Sequence, residues 1–124
     1  MTDFELGWIV ALFEGEGCLT FGLQGGPHPS HLGIWRAFIK MTDEDVVRRF
    51  HELIGVGTIL SLGSEGFRKD GDPYKDAWRW TITRQEDVLN FCALLAPHMG
   101  ARRAAKLTAC IDDLTNISDA KVRA

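Results

Sequence analysis

Hydrophobic and polar positions change period several times along the chain, and each change marks an element. From Phe4 to Phe13 the sequence is mostly apolar and free of proline. Phe4, Trp8 and Leu12 share one stripe at helical spacing, and Gly7, Ala11 and Gly15 share another. Thr2 followed by Glu5 has the form of a capping box, so a helix is expected to begin there. The run Gly15-Glu16-Gly17 is expected to end it in a left-handed residue. The period then shortens to two. Leu19, Phe21 and Leu23 alternate with Cys18, Thr20, Gly22 and Gln24, the signature of a half-buried strand. A loop from Gly25 to Ser30 leads into a second predicted strand, His31 to Met41. Acids at Asp43, Glu44 and Asp45 open a second helix, in which Val46, Val47, Phe50, Leu53 and Ile54 recur at helical spacing.

The same order then repeats. Gly55-Val56-Gly57 turns the chain into a third strand, Thr58 to Ser64. A polar loop from Glu65 to Asp76 precedes a fourth, Ala77 to Thr83, with Trp78, Trp80 and Ile82 on one face and Arg79 and Thr81 on the other. Thr83 and Glu86 suggest another capping box, and Val88, Phe91, Cys92 and Leu95 carry a third helix to Pro97. Glu44-Asp45-Val46 and Glu86-Asp87-Val88 occupy matching places, so the chain reads as two strand-strand-helix units. A last helix is expected from Ala101 to Leu114, with residues 116–124 a flexible tail. The predicted class is α+β. One domain over residues 1–115 has the order α-β-β-α-β-β-α followed by the last helix, with a four-stranded, mostly antiparallel curved sheet covered by helices on one face.

Composition agrees with a single globular domain: 124 residues, 45% hydrophobic and 25% charged. No apolar run approaches the ~18 residues of a membrane span, and the first residues lack the basic region of a signal peptide. Three scattered cysteines, Cys18, Cys92 and Cys110, suit free thiols in a reducing intracellular compartment. His28 and His31 have no matching second pair, which argues against zinc. The net charge of −3 excludes a generic basic nucleic-acid binder. Charge is segregated, however. Most of the acids fall on predicted helices, and most of the basic residues fall on strands, loops and the start of the last helix, which permits a basic sheet face on an acidic protein.

The segment Ile9-Val10-Ala11-Leu12-Phe13-Glu14-Gly15-Glu16-Gly17 resembles the LAGLIDADG motif of homing endonucleases. Cys18-Leu19-Thr20-Phe21, the helix end Leu53-Ile54-Gly55-Val56-Gly57 and the segment Leu95-Ala96-Pro97-His98-Met99-Gly100-Ala101-Arg102-Arg103 extend the similarity over residues 4–112. The resemblance implies a metal-dependent endonuclease on double-stranded DNA, working on a long pseudo-palindromic target. With one motif per chain it implies a homodimer, with no membrane and no small-molecule cofactor. A non-cleaving DNA-binding protein of the same fold, a regulator or a splicing maturase, is the alternative.

Steric reasoning agrees with the implied dimer. Small side chains at Gly7, Ala11 and Gly15 let a second helix approach closely, and Trp8 and Leu12 would flank that contact. Two-fold symmetry would then set two helix ends side by side. Glu16 stands where the motif's metal-binding acid stands, with Glu in place of Asp, and the Gly15 carbonyl would join it. Glu16 meets the negative end of its own helix and, across the dimer, a second Glu16. Divalent cations stabilise such a cluster, and Mg²⁺ (or Mn²⁺) suits carboxylate, phosphate and water oxygens. Glu14, two residues earlier, is expected to be structural or capping. Arg102 falls at the family's basic position, where lysine is more usual, and Lys40 falls near its polar pocket. Both join Glu16 as catalytic candidates, and the role of Arg102 would be charge stabilisation and ordering of water. The open sheet face would enter the major groove through Thr20, Gln24, Arg36, Arg79 and Thr81. Arg68, Lys69, Lys75, Arg103 and Lys106 are the expected phosphate contacts.

Overall fold

A computed structural model describes residues 1–23, 33–63 and 76–123, with Leu23 and residues 118–123 as backbone only. The elements are α1 (Asp3–Glu16), β1 (Gly17–Leu23), β2 (Gly33–Met41), α2 (Glu44–Ile54), β3 (Thr58–Gly63), β4 (Ala77–Ile82), α3 (Gln85–Leu95), a 3-10 turn (Ala96–His98) and α4 (Ala101–Arg123). The four strands form one antiparallel sheet in the order β1-β2-β4-β3. The predicted α+β class and element order hold.

Strand alternation divides the residues between two faces. Leu19, Trp35, Ala37, Ile39, Trp80 and Ile82 point toward the helices and are buried. Each helix answers with its own apolar stripe: Ile9 and Phe13 from α1, Val47 and Phe50 from α2, Val88, Phe91, Cys92 and Leu95 from α3, and Leu107, Cys110 and Leu114 from α4. The centre is aromatic. Phe50 meets Trp80 with ring centroids 4.7 Å apart, Phe13 meets Phe91 at 5.0 Å, and Trp80 meets Phe91 at 5.3 Å. Edge-on and tilted arrangements of this kind add to the burial of large apolar area. The Trp80 indole donates to the Val56 carbonyl at 3.0 Å, and no other polar group is needed there. Among the described residues no polar or charged side chain is fully buried. Cys92 and Cys110 are buried free thiols. The neighbouring Cys110, together with burial, pushes the Cys92 thiol well above its ordinary range, so it stays neutral. Among the described residues no helix is long and apolar enough to cross a membrane.

Several local expectations need correction. The Thr2–Glu5 capping box forms in both directions, at 2.8 and 3.1 Å. The one expected at Thr83 does not: α3 starts at Gln85 with Arg84 as its cap residue and no side-chain cap bond. Gln85 is drawn elsewhere, bonding both backbone groups of Trp35 on β2 and the Thr83 carbonyl. The end of α1 is not left-handed. Gly17 has φ −79° and ψ 157°, and the chain passes straight into β1. Glycine is required for a different reason: a Cβ at Gly17 would collide with the Phe13 ring. The left-handed stop occurs on α2, where Gly55 has φ 83°. The core stripe of α1 is Ile9–Phe13; Phe4 is three-quarters exposed. Helix α4 continues to Arg123, past the expected tail boundary at 115, because no glycine or proline follows Gly100 to interrupt it.

Candidate nucleic-acid interface and cleavage site

The outer face of the sheet is open. Ile34, Arg36, Phe38 and Lys40 of β2 point away from the helices. So do Cys18 and Thr20 of β1, Arg79 and Thr81 of β4, and Thr58 and Leu60 of β3. The strands carry three cations, Arg36, Lys40 and Arg79, and no Asp or Glu. Register brings them into pairs: Thr20 lies opposite Arg36, and Lys40 lies opposite Arg79. The Arg79 guanidinium rests over Phe38 at 5.6 Å, and its Nε is buried without a hydrogen-bond partner among the described residues. Leu60, 57% exposed, faces Arg79 across the β3–β4 pair. The Thr81 hydroxyl donates to the Ala37 carbonyl at 3.2 Å, so its hydrogen is committed to the sheet and not free for base reading.

Glu16, the last residue of α1, stands exposed at one end of this face. It lines a depression of about 360 Å³ together with Lys40, Met41, Thr42, Asp43 and Ala77. The predicted neighbours Glu16 and Lys40 are therefore brought together. Asp43 joins them unanticipated; it heads α2 without making a side-chain cap bond, a departure visible only once α2 is placed. On the adjoining side, Arg102, Arg103 and Lys106 surround a cavity of about 320 Å³ with Gly17, Cys18, Leu19 and Leu107. The basic residues of α4 thus border the segment that follows Glu16 directly.

Two of these side chains are tied into the protein. Glu14 accepts from the Gly100 backbone N–H at 3.3 Å, at the start of α4, which fits the capping role expected of it. Arg103 donates to the Gly17 carbonyl and lies over the Phe13 ring at 5.9 Å. It is held inward, not presented as a free phosphate contact like Lys106, which is exposed. Gln24, Arg68, Lys69, Lys75, His28 and His31 lie outside the described residues.

The small-residue stripe of α1 is uncovered. Gly7, Ala11 and Gly15 are exposed, and a Cβ built on Gly7 or Gly15 meets nothing within 4 Å. Trp8 and Leu12 are half-buried against the core, and Trp8 is capped by the Arg49 guanidinium at 4.5 Å. They therefore border the open stripe from its buried side. As a metal site, one chain offers the Glu16 carboxylate and backbone carbonyls, all hard oxygen donors of the kind Mg²⁺ or Ca²⁺ accepts. Among the described residues no group of three or more His, Cys, Asp or Glu could close around an ion. The donor set fits a cation only partly ligated by this chain.

These features define an α+β protein with an open cationic sheet face and an acid at its margin. No protein-family profile and no curated protein matches the chain. Solved structures do. The archaeal intron-encoded homing endonuclease I-Vdi141I, complexed with DNA, superposes with a TM-score of 0.70 over 94% of this chain and 70% of its own, at 13% identity. I-CvuI, solved with DNA in the presence of Ca and again of Mg, reaches 0.70 in the former over 95% of this chain and 70% of its own, at 11% identity. The LAGLIDADG meganuclease I-CpaMI, bound to uncleaved DNA, gives 0.67 over 98% of this chain and 38% of its own, at 12% identity. The chain has the LAGLIDADG homing-endonuclease fold.

Proposed function

We propose that this protein is a sequence-specific double-stranded DNA endonuclease that acts as a homodimer with divalent cations. The observation that carries the reading is the position of Glu16. It ends a helix whose small-residue edge is bare, shares a depression with Lys40, and borders a sheet face with cations and no acids. Helix α1 is apolar on nearly every side yet covered on only one, which favours a second helix against Gly7, Ala11 and Gly15. The chain spans only 38% of I-CpaMI, which leaves room in that longer chain for a second unit of this size.

In a two-fold dimer the two sheets form one concave, cationic surface, and the target has matching half-sites. Arg36 and Arg79 face the base edges, where a β-ribbon fits the major groove. Lys106 faces the sugar-phosphate backbone. Glu16 and the Gly15 carbonyl of each copy would hold Mg²⁺ or Mn²⁺ at the centre, with phosphate and water oxygens completing the shell. The cation supplies charge neutralisation at the phosphate and a more acidic water. Lys40 and Arg102 place positive charge beside that centre, where it would stabilise the phosphate and order water. Both I-CvuI structures, solved with DNA in Ca and in Mg, support the choice of a hard divalent ion.

The test is selection of cleaved duplexes from a randomised library in Mg²⁺ and Mn²⁺, followed by Glu16→Gln on the recovered site. Cleavage by the variant should fall about 10³-fold, the scale of several kcal/mol of lost charge stabilisation. DNA binding should change less than about threefold, because the sheet face is untouched. A wild-type protein that binds duplex and never cuts it, or a variant that cuts at the wild-type rate, would contradict the reading.

A further inference from the structure

Glu16 is flanked by two ties to the same place. Two residues before it, Glu14 accepts from the Gly100 N–H; one residue after it, the Gly17 carbonyl accepts from Arg103. One tie ends on Gly100, just before α4, and the other on the first turn of α4, and Arg102 lies between their anchor points. The fold is shaped to allow them. Gly17 has no Cβ, so the Phe13 ring packs directly on it and the Arg103 guanidinium lies over that ring. Gly100 has none either; a Cβ there would approach the Glu14 Oε1 to 3.0 Å.

We infer that Arg103 is a positioning residue for Glu16. Its guanidinium clamps the α1–β1 junction to the start of α4 and so fixes the carboxylate relative to Arg102. The inference rests on the endonuclease reading above and deepens it. A helix C-terminus ends in unpaired carbonyls with partial negative charge, and a carboxylate added there tends to pull the last turn open. α1 has acids at 14 and 16 and no basic residue in its last turn. Arg103 supplies the missing positive charge from another element, on the carbonyl just beyond Glu16. Glu14 removes the other acid from the competition by fastening it to the N-terminal end of α4. The clamp acts on geometry and leaves the DNA-facing strands alone, so its loss should lower the rate of bond cleavage and spare affinity.

The experiment uses the full-length protein and the duplex recovered by the selection described above. Arg103→Met keeps the aliphatic stem over Phe13 and removes the donors; Arg103→Lys restores one cationic donor. Single-turnover cleavage by R103M is expected to drop about 30- to 100-fold, the cost of a displacement near 1 Å. Its duplex Kd should stay within about twofold, with an unchanged slope of log affinity against log salt. R103K should recover at least about tenfold of the lost rate. The inference is overturned if R103M cuts at the wild-type rate, or if R103K is no faster than R103M. It is also overturned if the loss appears in Kd with the salt slope reduced by about one phosphate, the mark of a direct backbone contact. Should R103M not fold, Glu14→Ala removes the second tie and carries the same expectation, a slower cut at unchanged Kd; unaltered cleavage by that variant overturns the clamp. A wild-type protein that cuts no duplex defeats the functional reading and the clamp together, whereas an active wild type with an unaffected R103M defeats the clamp alone.

Discussion

The inner and outer faces of the sheet are built from alternate residues of the same strands, yet they obey different rules. On the inner face Trp35, Ala37, Ile39, Trp80 and Ile82 interlock with four helices around the Phe13–Phe50–Trp80–Phe91 cluster. On the outer face Thr20, Arg36, Lys40 and Leu60 are exposed, and Arg79 is half-buried with its guanidinium over Phe38. Leu60 is left 57% exposed there, opposite an arginine whose Nε has no hydrogen-bond partner among the described residues. The inner face accounts for stability, and the proposed function assigns recognition to the outer face, with a one-residue step separating the two along each strand.

Substitutions on each side can break or sharpen that division. The largest effect should come from Trp80→Ala, which empties the centre of the aromatic cluster and leaves the Val56 carbonyl without its donor. A loss of about 3–5 kcal/mol is expected in denaturant unfolding. If the variant unfolds like the wild type, the aromatic cluster is not what holds the sheet to the helices. Arg79→Ala, one residue earlier, should do the reverse: stability within about 0.5 kcal/mol and DNA affinity lower by about 1–3 kcal/mol on the selected site, mainly at one base position. A uniform loss across sequences would reassign Arg79 to the phosphate backbone, and a loss of stability would deny the separation of the two faces.

Much of this was legible in the sequence because alternation is a local property. The periods at Leu19, Trp78 and Trp80 assigned faces correctly, and the acid-rich starts and glycine ends placed the helices to within a few residues. What escaped depends on tertiary context. Helix α1 is apolar nearly all round, so periodicity could not choose Ile9–Phe13 over Phe4–Trp8–Leu12 as the buried stripe. The need for Gly17 came from a ring packed on it, which no local rule reveals. The Gln85 side chain, at the first position of α3, is bonded to the backbone of a strand fifty residues away. At the site, Glu16 and Lys40 were foreseen as neighbours through the family resemblance. The inward turn of Arg103 and the presence of Asp43 beside Glu16 were not, because both follow from how α4 and α2 dock against the α1–β1 junction.

The central claim is that two copies join through the bare edge of α1 and thereby pair their Glu16 residues. Sedimentation equilibrium of the wild type and of Gly7→Leu tests it most directly. A side chain at Gly7 meets open space within one subunit, and leucine raises helix propensity by about 1 kcal/mol relative to glycine, so the variant's own fold should be at least as stable. The wild type should sediment at twice the chain mass, and G7L should sediment as a folded single chain that no longer cuts both strands. A wild type that remains a single chain even with duplex bound, or a G7L protein that dimerises and cuts like the wild type, would contradict the account.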